Sequence, residues 1–194
     1  ILQAARMIGG ESVPPAMCYY SKLEGSGGKC RCCLVEVAKG SEADPRPMPK
    51  LMASCVTGCQ DGMEVNSNSS ERVTEARKSV TEFLLINHPL DCPVCDQAGE
   101  CDLQNLSFKH GKSETRFIEE KRTFEPEDIG PNIQLHMNRC ILCYRCVMVA
   151  DQLTDKPVTP PAQLPGATGQ LAENKNKQEN FQLPQNDVAQ VGNI

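Results

Sequence analysis

Residues 88–101 concentrate the side chains of this chain that could do chemistry. Within fourteen residues they place His88, Cys92, Cys95 and Cys101, spaced His-x3-Cys-x2-Cys-x5-Cys. Three thiols and one imidazole at such short separations can close around one metal centre. Pro89 and Pro93 deny the stretch helical hydrogen bonds and leave its backbone free to wrap a ligand. Zinc accepts the same donor types, but zinc knuckles and ribbons present two separated ligand pairs. A run of three cysteines with unequal gaps suits a cubane, whose irons sit at separated corners, so an iron–sulfur cluster is the favoured reading.

Two further groups point the same way. The chain has 12 cysteines in 194 residues. Cys18, Cys30, Cys33 and Cys55 form the pattern Cys-x11-Cys-x2-Cys-x21-Cys. This is a stretched relative of the Cys-x4-Cys-x2-Cys…Cys spacing that holds a [2Fe–2S] pair. Cys140, Cys143 and Cys146 form a Cys-x2-Cys-x2-Cys run, three of the four thiolates of a [4Fe–4S] cube. The residue where a fourth thiolate could follow is Ala150, and no cysteine comes after Cys146. Cys32 and Cys59 have no group to join and are expected to be small buried hydrophobes. His110 and His136 have no partners at ligand spacing and are read as ordinary polar residues. Replacing one thiolate by neutral His88 removes negative charge, the kind of change that raises the potential in Rieske centres.

The composition agrees. Aromatic residues are only 4% and tryptophan is absent, so a large apolar core is not expected and the cysteines are the natural staples. Disulfides are the alternative staple and would imply a secreted protein, for which no signal peptide is visible. A net charge of −5 without a basic stripe argues against nucleic acid, and no apolar run is long enough to span a membrane.

The elements that must position these groups follow from periodicity. Residues 1–8 read as the end of a helix with Leu2, Ala5 and Ile8 on one face, stopped by Gly9-Gly10, so a truncated start is expected. The glycine-rich stretch 24–30 lacks the Ser or Thr and the preceding strand of a phosphate loop; its glycines instead suit close approach of backbone amides to sulfur. Residues 33–37 alternate as a strand, with short strands expected at 52–56 and 63–65. Ser and Asn at 66–70 offer caps to a helix over 71–86, whose inner stripe runs Val73, Ala76, Val80, Phe83 and Leu84 and whose last turn delivers His88 before Pro89. Residues 101–110 read as a helix with Leu103 and Leu106 inward and Gly111 as its stop. A helix is expected from Cys140 to Leu153, carrying its thiols at i, i+3 and i+6. Residues 112–138 are polar and irregular, and 157–194, rich in Pro, Gln and Asn, read as a disordered or extended tail.

With these residues in place, the chain resembles the N-terminal iron–sulfur region of the large peripheral-arm subunit (75-kDa type) of respiratory complex I, the proton-pumping NADH:quinone oxidoreductase. The phrases that carry the resemblance are residues 30–37, 53–57, 87–103 and 139–146. It implies an α+β chain in four parts. Residues 1–70 would be a β-grasp [2Fe–2S] ferredoxin domain lacking its N-terminal hairpin. Residues 71–111 would be a helix and a [4Fe–4S] domain with one His and three Cys ligands. Residues 112–156 would open a ferredoxin-like [4Fe–4S] domain, and 157–194 would be an irregular tail.

The implied cofactors are one [2Fe–2S] cluster on Cys18, Cys30, Cys33 and Cys55, one [4Fe–4S] cluster on His88, Cys92, Cys95 and Cys101, and one incomplete [4Fe–4S] cluster on Cys140, Cys143 and Cys146. The implied role is an electron relay without a substrate-converting site, taking electrons from a flavin-containing NADH-oxidising subunit toward quinone. It would sit among the other peripheral-arm subunits at the cytoplasmic face of a bacterial inner membrane, or on the matrix side in mitochondria. The family places its fourth ligand for the third cluster in a downstream Cys-Pro turn ahead of a large C-terminal domain; residues 157–194 contain no such turn and do not look like the family, so a divergent segment or a missing continuation is expected. The alternatives are the electron-relay module of an iron-only or NAD-linked hydrogenase or of a formate dehydrogenase, which reuse the first two clusters, and a structural zinc protein.

Overall fold

A computed structural model describes residues 1–153. The chain divides into two compact units. One comprises Ile1–Pro126 with His136–Val149; the other contains Glu127–Leu135 and resumes at Ala150.

In the first unit, helix α1 (Leu2–Ile8) ends where Gly9 takes φ +79°, the left-handed conformation that glycine adopts without a Cβ penalty. Its expected inner face is only partly inward: Leu2 is buried, Ala5 half-buried and Ile8 exposed. Strand β1 (Leu34–Lys39) is the centre of a three-stranded antiparallel sheet, flanked by β2 (Met52–Ala53) and β3 (Glu64–Asn66) in the order β2-β1-β3. The period-2 alternation decides its faces: Val35 and Val37 are fully buried, while Leu34 and Glu36 are half-exposed. The second strand is shorter than expected because residues 54–57 turn, with Val56 N donating to the Ala53 carbonyl and the Thr57 hydroxyl to the same oxygen.

Helix α2 (Glu71–Leu85) packs on β1. Ser70 caps it, its Oγ accepting from Val73 N at 3.4 Å while donating to Glu36 at 2.8 Å. Its buried stripe is Val73, Arg77 and Thr81, at i, i+4 and i+8. Two expectations fail here. Phe83 is 74% exposed rather than inward. The helix also stops at Leu85, so His88 lies beyond its last turn. Lys121 supplies the reason for that stop: its Nζ donates to the carbonyls of Leu85 and Ile86, at 2.7 and 2.9 Å, completing the helix end before Pro89. Helix α3 (Asp102–His110) packs on α2, buries Leu103 and ends at Gly111 as its pattern predicts.

The second unit contains a hairpin of β4 (Glu127–Asp128) and β5 (Gln134–Leu135) inside the stretch read as irregular. Helix α4 is shorter than expected. It runs Arg145–Leu153, because Leu142 and Tyr144 take left-handed conformations, φ +54° and +67°, that no helix can contain. Cys140 and Cys143 therefore lie in a loop and only Cys146 is helical. The tail expectation for 157–194 falls outside the described residues.

Candidate metal centres

The first centre is built by a loop and two strand ends. Cys18 and Cys30 come from the loop before β1, Cys33 from the residue preceding it, and Cys55 from the turn after β2. The structure brings these four thiols together. The Sγ atoms of Cys33 and Cys55 are 3.2 Å apart, close enough for two thiolates to share one tetrahedral iron. Three backbone amides aim at the sulfurs: Gly28 N at Cys55 Sγ, 3.1 Å, and the N–H groups of Lys29 and Cys30 at Cys18 Sγ, both 3.3 Å. Oriented amides stabilise negative charge on sulfur.

That amide array explains the glycines. Gly27, at φ +110°, lies so close to the sulfur that a Cβ there would stand 3.1 Å from Cys55 Sγ. Arg31, between Cys30 and Cys33, is held left-handed at φ +61°, a strained conformation for a residue with a side chain and one that curls the loop around its centre. The hydrogen bond with Cys55 holds the Cys33 thiol down to about 6, and the same contacts, with Cys18 and then Cys33, push Cys55 up. Cys33 is thus poised as thiolate, the form that ligates metal.

The second centre follows α2. His88, Cys92 and Cys101 line one cavity of about 430 Å³ together with Leu85, Leu103 and Phe117; Cys95 is half-buried in the same loop but does not line it. Burial, with the nearby Lys121 charge, lowers the His88 pKa, which favours the neutral imidazole that ligation requires. Cys92 opens a single 3-10 turn through Val94.

The third centre is the loop before α4. Leu142 N donates to Cys140 Sγ at 3.3 Å, and the left-handed Leu142 and Tyr144 alternate with Cys143. The neighbouring Cys143 thiol raises the Arg145 guanidinium pKa. Cys140 and Cys146 are exposed.

The three groups share one apolar core. Met17, Cys18, Cys30 and Cys32 pack with Leu103 of α3, and Cys101, Ile141 and Cys143 lie against them. A strut joins the second and third loops: Arg139, preceding Cys140, reaches Asp91, preceding Cys92, at 3.3 Å and the Val94 carbonyl at 3.4 Å. Among the described residues no three His, Cys, Asp or Glu side chains converge at the spacing of a single ion. The sulfur-rich donor sets, with inward amides at the first and third centres, fit multi-iron sulfur groups.

Of the leftover residues, Cys32 is buried as expected, at 3% exposure. Cys59 is exposed, which corrects its reading as a buried hydrophobe: it sits in the irregular connection between β2 and β3, where no strand or helix buries it. Sequence reasoning missed Arg77, a charge on the inner stripe of α2; its four-residue offset from both Val73 and Thr81 was the available signal. It also missed the Asp91–Arg139 strut, which joins residues too far apart in sequence to be paired by spacing.

Comparison with known proteins bears on all three centres. Three family models match: a 2Fe-2S iron-sulfur cluster binding domain over residues 1–70, an NADH-ubiquinone oxidoreductase-G iron-sulfur binding region over 77–116, and the ferredoxin-like domain of an NADH-quinone oxidoreductase over 130–178. The last runs past Lys156, into the segment that the sequence reading set apart from the family. The chain is 48% identical over 159 residues to the mitochondrial NADH-ubiquinone oxidoreductase 78 kDa subunit of Candida albicans, covering 81% of this chain and 20% of that protein. It is 46% identical over 157 residues to the NADH-ubiquinone oxidoreductase 75 kDa subunit of Reclinomonas americana, covering 81% and 21%. It is 44% identical over 153 residues to an NADH-quinone oxidoreductase subunit of Rickettsia felis, covering 79% and 21%. The chain thus spans about a fifth of the length of these relatives. Among solved structures, an NAD+-reducing [NiFe]-hydrogenase in the H2-reduced state matches with a TM-score of 0.63 at 32% identity, over 77% of this chain and 58% of that one.

Proposed function

Since the chain belongs to the family of the 75 and 78 kDa iron–sulfur subunits of NADH-quinone oxidoreductases, we propose that it is an electron relay of such a complex, working between a flavin-containing NADH-oxidising subunit and quinone. The observation that carries this reading is the first centre, where four thiols meet under three inward-pointing amides.

By this reading Cys18, Cys30, Cys33 and Cys55 hold a [2Fe–2S] cluster in a β-grasp ferredoxin-type domain over residues 1–70. His88, Cys92, Cys95 and Cys101 hold a [4Fe–4S] cluster within 71–111. Cys140, Cys143 and Cys146 offer three thiolates to a further [4Fe–4S] cluster in the domain opening within 112–156. Each cluster, when bound, supplies a site that takes up and returns one electron. The residues do the rest. Amides of Gly28, Lys29, Cys30 and Leu142 favour the more negative charge state by donating to sulfur. His88, as a neutral ligand, removes one negative charge from the second centre. The shared core around Leu103 keeps the three groups in one packed body of side chains.

The partners are then the flavin subunit and other peripheral-arm subunits, at the cytoplasmic face of a bacterial inner membrane or the matrix side in mitochondria. No helix among the described residues is long and apolar enough to cross a membrane itself. A hydrogenase module is the second reading, favoured by the solved hydrogenase chain; the higher identity to oxidoreductase subunits, 44–48% against 32%, puts it second. Anaerobic purification with metal and sulfide analysis tests the reading. Iron with acid-labile sulfide is the expected result, and stoichiometric zinc without sulfide ends it.

A further inference from the structure

Arg77 is the largest fully buried side chain of the described residues, 2% exposed on the inner stripe of α2. Its guanidinium donates to the Leu34 carbonyl and to Ser67 Oγ, both at 2.9 Å, and to the Asn68 side-chain oxygen. All three acceptors are neutral, and its Nε is buried with no partner. The acidic residue on the neighbouring strand, Glu36, is turned away toward Ser70 and Arg72. A buried cation without a counter-charge is costly, and natural proteins pair such charges. Burial lowers the Arg77 guanidinium pKa, and the charges that act against that lowering are those of the Cys33 and Cys32 thiolates. The carbonyl it holds belongs to the residue after Cys33.

We propose that Arg77 is the counter-charge of the first centre and sets the potential at which a [2Fe–2S] cluster held there accepts its electron. The inference rests on the reading of that centre as a cluster site. Two ferric irons, two sulfides and four thiolates sum to two negative charges. One added electron makes three, with no bond broken and no proton taken up. In a low-dielectric site a fixed cation favours the more negative state, so Arg77 raises the potential.

The test uses the whole 194-residue chain, reconstituted anaerobically with iron and sulfide and titrated with dithionite while the [2Fe–2S] EPR signal is followed. Arg77→Gln keeps a donor for Leu34 but no charge; Arg77→Lys keeps the charge. At the wild-type midpoint the reduced-to-oxidised ratio should fall at least tenfold in Arg77→Gln, about 59 mV for one electron, and stay within twofold in Arg77→Lys. A fully loaded Arg77→Gln chain with the wild-type midpoint overturns the proposal. If Arg77→Gln does not load, thermal unfolding of the metal-free chains decides. A cation that needs the cluster for its counter-charge predicts metal-free Arg77→Met at least as stable as metal-free wild type, whereas a large loss in Arg77→Met makes the residue a structural hub and overturns the proposal. Wild-type chain that takes up no sulfide would sink the cluster reading itself, a result distinct from either.

Discussion

At Cys32 and Cys33 two adjacent thiols, both buried, are told apart by what their sulfurs meet. Cys33 Sγ stands 3.2 Å from Cys55 Sγ. Cys32 Sγ turns to the Cys30 carbonyl, at 3.7 Å, and into the core with Met17 and Leu103. Cys33→Ala should therefore abolish the [2Fe–2S] EPR signal. Cys32→Ala should keep it and cost about 1 kcal/mol of stability for the small cavity it leaves, and exposed Cys59→Ser should change neither. Loss of the signal in Cys32→Ala with retention in Cys33→Ala would move the ligand by one position. At this scale the sequence was most readable. Cysteine spacing groups the thiols without reference to any fold, because ligand geometry constrains nearby residues directly. For Arg77 the four-residue offset from Val73 and Thr81 could have placed the side chain on the inner stripe, but not shown the neutral acceptors that meet it there, which lie on Leu34, Ser67 and Asn68.

Elements place these residues, and the glycine-rich loop before β1 does the most demanding part. Gly27 lets the backbone lie against Cys55 Sγ in a conformation that disfavours any side chain. Gly27→Ala should strain the loop by about 1–3 kcal/mol and reduce iron retained by the first centre, whereas Gly58→Ala, with open space around it, should leave iron content unchanged. Equal iron content in both variants would show that the loop yields freely. Periodicity located α1, β1, α2 and α3 because Leu2, Val35, Val37, Val73 and Leu103 mark their inner faces. It misjudged Phe83, whose apolar ring lies at the exposed edge of α2, and it extended a helix across Cys140–Tyr144. There the i, i+3, i+6 thiol spacing imitates a helical period, while the backbone follows a ligand-wrapping path through two left-handed residues.

Across the molecule, the three cysteine groups are not beads on a string. They meet at one core, and Asp91–Arg139 ties the loop of the second to that of the third. Both side chains are about a quarter to a third exposed, so the pair should couple more strongly than a surface bridge, by about 1–2 kcal/mol. A double-mutant cycle of Asp91→Asn and Arg139→Gln, read by urea unfolding, measures this; additive effects would show the two loops to be independent. The preformed first centre also fixes a chronology. Two sulfurs already 3.2 Å apart need little motion to join, so metal-free chain that meets oxidant before iron should close Cys33 to Cys55 and block the site. Counting free thiols on metal-free chain after brief exposure to air should show two lost, from that pair. If those two are lost, the packing of one turn against one loop sets a timetable for loading the site: metal first, oxygen later.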